Sequence, residues 1–203
     1  GTRPLTGLDV LDHGTALLRD REGRDPRFVA DELTQMAVLY LSLGQVDRAR
    51  ELLTEAVSRA RRLDDRDVLA RGLCTLVDVD LAQDRRPDAE RHLAEAKSLL
   101  TGARSTAVTA TYCLSSEANV LDAAGDSHGA IARAQEGIDL IVASGKPSHP
   151  LRSALLTRLS KYHDDLGDRR SHLRRHAGRH RRGRVAFALT VPGQLSPRAQ
   201  ARP

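Results

Sequence analysis

Tryptophan is absent from this 203-residue chain, and aromatic residues together make up only 2% of it. That excludes a core built around large rings, and it leaves no row of aromatics on which bases could stack. Cysteine occurs twice, as Cys74 and Cys113. Two cysteines so placed give neither a disulfide framework nor the paired spacing of a zinc site, and they read as small packing residues in a reducing, cytoplasmic setting. No apolar run approaches the roughly 18 residues of a membrane span, and the start of the chain carries no apolar signal core. A phosphate-binding loop is also missing, because Gly145-Lys146 has no upstream glycine at the required spacing and no Ser or Thr after the lysine. Nothing in the composition calls for a cofactor.

Acidic residues are missing from one end. From Arg169 to Pro203 there are ten arginines and no Asp, Glu or Lys; they supply +10 of a net +5 and leave residues 1–168 at −5. The chain is thus an acidic body with a basic tail. Eight of the arginines fall within residues 169–184, where Arg174, Arg175, Arg179, Arg181 and Arg182 are the candidates for contact with phosphates or acids. Without interleaved aromatics, any contact with nucleic acid is expected to be to the backbone and nonspecific. His172, His176 and His180 share one helical face, but the surrounding arginines repel a metal ion, so no metal site is expected. The tail, 169–203, reads as disordered, with a short β-prone run at 185–191.

What the body does have is small apolar residues in a sparse pattern that returns about every forty positions. Leu33, Met36, Ala37 and Tyr40 are followed by Gly44, then Ala49, Leu53 and Ala56. Leu73, Leu76 and Val77 are followed by Asp84, then Ala89, Leu93 and Ala96. Leu114, Ala118 and Leu121 are followed by Gly125, then Ala130, Ala134 and Gly137. Leu156, Leu159, Ser160 and Gly167 begin a fourth copy that stops halfway. Each copy switches helical faces across a short turn, which predicts stacked antiparallel hairpins in an all-α solenoid of about eight helices. The expected elements are a leading helix over 6–19, hairpins over about 26–63, 68–101 and 106–143, and a trailing helix over 151–166. The array as a whole is expected to span 5–168. Thr6 with Asp9 has capping-box spacing, Asp25 precedes Pro26 as a cap, and Gly44 suits a helix end.

These motif residues resemble the tetratricopeptide repeat, whose small residues let paired helices approach and whose large ones fill the gap to the next hairpin. The second copy departs from the pattern with Asp80 in the tyrosine position and Asp84 in the glycine position, and the third places Gly137 where alanine is usual. The long period resembles copies found in bacterial signalling proteins. Leu8 to Leu18 with Asp25-Pro26 is similar to the junction into the repeats of some bacterial serine/threonine kinases, and the Ala- and Arg-rich style is similar to the sensor arrays of actinobacterial transcription regulators.

The resemblance implies a protein-binding scaffold or sensor module rather than an enzyme. Its ligand would be a protein or peptide segment, held in a groove lined by the first helix of each hairpin. The implied groove residues are Asp31, Thr34 and Val38, then Arg71, Cys74 and Asp78, then Tyr112, Ser115, Asn119 and Asp122, and finally Lys161 and Asp165. Leu41, Ser42 and Ala154 are among their neighbours. The lining reads as mildly acidic, and it lacks the lysine row that grips a peptide carboxylate in other members. A regulator whose tail holds nucleic-acid phosphates is the alternative. His163 with Asp164 and Asp165 could be gathered as acid and base, but the group reads as a helix end running into a turn.

Overall fold

The computed structural model describes residue 4 and residues 6–20, 25–101 and 105–167. Every regular element among them is a helix. Helix α1 (Gly7–Arg19) leads, and three hairpins follow: α2 (Pro26–Ser42) with α3 (Val46–Arg62), α4 (Arg66–Ala82) with α5 (Arg86–Leu99), and α6 (Ala107–Ala123) with α7 (Ser127–Ala143). An eighth helix, α8, covers residues 150–163 of the first of two units, 1–163 and 164–203. Residues 164–167 are the described part of the second unit and are helical. The arginine-rich stretch and the β-prone run lie outside the described residues.

Local chemistry starts and stops these helices where the sequence signals them. The Thr6 hydroxyl accepts from the Asp9 amide at 3.2 Å while Asp9 Oδ2 accepts from the Thr6 amide at 2.8 Å, completing the capping box of α1. Asp25 accepts from the Phe28 amide ahead of Pro26. Helix α4 begins at Arg66, two residues before the expected start of the second hairpin at 68, because the Asp65 carboxylate takes the amides of Asp67 and Val68.

All three hairpins turn in the same way. The amides of Gln45, Arg85 and Asp126 donate back to the carbonyls of Tyr40, Asp80 and Leu121 at 2.9, 2.8 and 2.8 Å. This closure needs a left-handed residue just past the helix. Gly44, Asp84 and Gly125 fill that place with φ of 72°, 56° and 92°. Aspartate can stand in for glycine there because its short polar side chain tolerates the left-handed region better than most.

Small residues form the seams. Ala37, Ala49, Ala60, Ala70, Ala89, Ala96, Ala118, Ala130 and Ala134 are wholly buried, with Leu33, Leu53, Leu73, Val77 and Leu155 filling between helices. Gly137 marks a close approach: a methyl group there would sit 3.1 Å from Leu155 Cδ1 of α8. The glycine that breaks the repeat pattern thus lets Leu155 of the next helix pack close against α7.

Asp80 departs furthest from an apolar core. It is fully buried in the position where the pattern expects tyrosine. Arg50 of α3 meets Oδ1 at 2.6 Å, and His92 Nδ1 of α5 meets Oδ2 at 2.7 Å. Gln83 extends the set by accepting from Arg50 and donating to Asp47. Other ion pairs recur at close to one repeat length. Arg19–Glu55, Arg48–Asp12, Arg27–Asp65 and Arg61–Glu95 join partners 34 to 38 residues apart. With their charges partly in solvent, each contributes little to stability.

Candidate protein-binding groove

The first helices of the hairpins converge on one hollow of about 290 Å³. Val38, Leu41 and Ser42 come from α2, Thr75 and Asp78 from α4, and Tyr112 and Ser115 from α6. Pro150, Leu151, Ala154 and Arg158 close it from α8. The first and last of these helices thus face the same space. Most of the lining is apolar, and Asp78, Ser115 and Arg158 form a bonded polar group within it. Arg158 donates to the Ser115 hydroxyl and lies 3.3 Å from Asp78 Oδ2.

The polar residues of this face are joined hairpin to hairpin. Arg71 lies 2.6 Å from Asp31. Asn119 donates to Asp78 at 2.7 Å and accepts from the Tyr162 hydroxyl at 2.5 Å. Lys161 donates to Asp122 at 2.8 Å. Burial raises the Asp31 carboxyl above its ordinary value, against the pull of Arg71. Burial likewise pushes the Tyr162 phenol up to about 12, so it stays a neutral donor. In the first unit Asp31, Asp78 and Asp122 are matched by Arg71, Arg158 and Lys161. The mildly acidic lining read from the sequence is balanced by these three cations.

The expected groove residues of the first unit divide into three groups. Val38, Asp78, Tyr112 and Ser115 line the hollow. Asp31, Arg71, Asn119, Asp122 and Lys161 link neighbouring hairpins. Thr34 and Cys74 are buried, with the Thr34 hydroxyl donating to the Ala30 carbonyl. Asp165 belongs to the second unit. The tail candidates Arg174, Arg175, Arg179, Arg181 and Arg182 lie outside the described residues. Arg158 was missed by sequence reasoning, although it sits four residues after Ala154 and so shares its helical face. Leu151 was missed as well, because the incomplete fourth copy offered no second helix to orient it.

The cysteines correct the sequence expectation. Cys74 and Cys113 form a disulfide between α4 and α6, with Cα atoms 5.1 Å apart. Their separation of 39 residues is one repeat, so stacking brings them together although nothing local in the sequence does. Both are buried, at 0% and 3% exposure. The cysteine count therefore no longer argues for a reducing compartment. Among the described residues, no group of three or more His, Cys, Asp or Glu could hold a metal ion, and no helix is long and apolar enough to cross a membrane.

The family model described as tetratricopeptide repeat matches residues 30–101, which cover the first two hairpins from within α2. These residues are tetratricopeptide repeats. The match ends after α5, yet the third hairpin repeats the same turn and the same alanine seam. No curated protein sequence matches the chain. The crystal structure of BtubC (BKLC) from P. vanneervenii is similar at 17% identity and a TM-score of 0.52, covering 95% of this chain and 80% of that one. That likeness shows the helical-repeat fold. A putative kinesin light chain from Podosopora anserina, with nearly identical TPR-like repeats, aligns at 15% identity and a TM-score of 0.41, covering 89% of this chain and 97% of that one. Repeats of this family generally mediate protein–protein interaction.

Proposed function

We propose that this chain is a protein-binding scaffold or sensor module that holds a segment of its partner against the hollow formed by α2, α4, α6 and α8. The convergence of all four helices on one hollow, lined by Val38, Leu41, Tyr112, Leu151 and Ala154 together with the Asp78–Ser115–Arg158 group, carries this reading. A volume of about 290 Å³ suits one or two side chains, so the partner segment anchors an apolar residue on Leu41, Tyr112 and Leu151. The matched charges around the hollow favour a near-neutral segment over a strongly basic one.

The test is affinity capture of a partner, followed by titration of the peptide it supplies. Ala154→Arg and Val38→Glu place a charge in the hollow from exposed or half-buried positions. Each is expected to weaken binding at least about tenfold, which is about 1.4 kcal/mol, with helicity and melting unchanged. Unaltered affinity in both variants would move the partner site elsewhere.

A further inference from the structure

The Cys74–Cys113 bond joins two helices that wall the proposed groove, from the buried side. Thr75 and Asp78, on the same helix as Cys74, line the hollow, and so do Tyr112 and Ser115 on either side of Cys113. The bond is the only covalent tie between hairpins among the described residues. All other coupling between α4 and α6 there is noncovalent: the Ser116 hydroxyl donates to the Cys74 carbonyl at 2.7 Å, and Asn119 reaches Asp78. The spacing of these two helices sets the width of the hollow between Asp78 and Ser115, which Arg158 spans.

We propose that the redox state of this pair sets the shape of the groove: oxidised, it locks α4 against α6; reduced, it lets the wall between Thr75 and Tyr112 relax while the rest of the array stays folded. The proposal rests on reading this face as the partner surface and adds a means of regulating it. Two features make the effect local. A repeat array is held by nearest-neighbour interfaces, so loosening one seam leaves the others intact. The sulfurs are also shut away from solvent, so a reductant reaches them only when the α4–α6 seam opens.

The reaction balances with a dithiol as reductant. Its thiolate attacks one sulfur, the Cys74–Cys113 bond breaks, and a mixed disulfide forms. The second thiol of the reductant then closes on it, so the reductant leaves as a cyclic disulfide and both cysteines become thiols, taking up its two protons.

The ring signals of the three tyrosines report the outcome without any partner. Tyr112 lines the hollow and Tyr162 sits behind it on Asn119, whereas Tyr40 lies in the first hairpin against Asp12. Full-length protein is labelled on tyrosine rings and compared before and after dithiothreitol, with thiols counted by alkylation. The double variant Cys74→Ala/Cys113→Ala serves as the permanently open form. The expected result is no free thiol before treatment and two after it. Tyr112 and Tyr162 signals move to the positions seen in the variant, and Tyr40 stays in place. Amide exchange over 66–82 and 107–123 is expected to speed up roughly tenfold, with exchange over 26–62 unchanged. Two free thiols in untreated protein, or tyrosine spectra identical in both states, would overturn the proposal. Collapse of the whole array on reduction would overturn it too, since the lock would then be a requirement for folding. None of these readouts depends on the partner test, so a failure here leaves the reading of the groove standing, and the reverse also holds.

Discussion

The first and second hairpins solve one packing problem in opposite ways. In the first, Tyr40 fills the gap between helices with a buried ring, and its hydroxyl reaches Asp12 of α1. Arg48 lies 5.8 Å above the ring and pairs with the same Asp12, whose side chain is about half exposed. In the second, Asp80 puts a bare carboxylate at the corresponding place, where Arg50 offsets its charge and His92 Nδ1 lies within hydrogen-bond distance of it. A buried ring is self-sufficient, and its polar tip is a small addition. A buried carboxylate is tolerable only with its partners, so the second hairpin depends on Arg50, borrowed from α3 of the first, as well as on His92 of its own α5. An array with almost no aromatics can still be packed, at the cost of making neighbouring hairpins electrostatically dependent on one another.

The sharpest way to break this contrast is Arg50→Ala. It leaves Asp80 buried with half its compensation and is expected to destabilise the array by about 3–5 kcal/mol in urea unfolding. The loss should centre on α4 and α5 in hydrogen exchange. A loss under about 1 kcal/mol would mean that water or His92 alone satisfies the carboxylate. Next in size is Gly137→Ala, where the added methyl must displace Leu155. Overpacking of this kind costs about 1–3 kcal/mol, and the loosening should be confined to α7 and α8. Tyr40→Phe removes only a hydroxyl whose partner stays half in water, so a loss of about 0.5–1.5 kcal/mol is expected. If it matched the Arg50 variant, the distinction between the hairpins would fail.

The smallest effect is on pH dependence. Burial pushes the Glu55 carboxyl up, but hydrogen bonds from Arg19 and Arg59 outweigh it and hold the group below its ordinary value of 4.5. A carboxylate with a lowered folded pKa contributes stability that is complete above that ordinary value and is lost as pH falls through the folded one. Glu55→Gln should therefore flatten the acid limb of the stability curve below about pH 4.5 and leave the neutral region nearly unchanged apart from the lost pairs. An acid limb identical to the parent's would show that the pairs with Arg19 and Arg59 do not persist in solution.

Much of the fold was legible because it is written in residues with local consequences. Thr6 and Asp9, Asp25 and Pro26, and Gly44 announce helix ends through chemistry within a few positions, and the returning alanines announce the seams. The candidate site was less legible, because its features come from stacking. Cys74 and Cys113 meet only when two hairpins are superposed. Asp31, Asp78 and Asp122 read as a mildly acidic lining with Arg71 and Lys161 beside them, but which cation meets which acid depends on how the first helices stack, and Arg158 was not among the residues read there. Thr34 matches the lining row by pattern, yet it turns inward to its own helix carbonyl, which periodicity alone cannot register.

The ion pairs that recur at about one repeat length have a mechanical side. Two tie the leading helix α1 to α3 and two tie the first hairpin to the second, so bending or stretching the array loads them together, as struts between the coils of a spring. The alanine seams resist by contact and are indifferent to electrolyte, whereas the struts act through charges partly in water and weaken within a screening length of roughly 8–10 Å at physiological salt. The elastic stiffness of the array is therefore partly a property of the solution around it, even where its resting geometry is not.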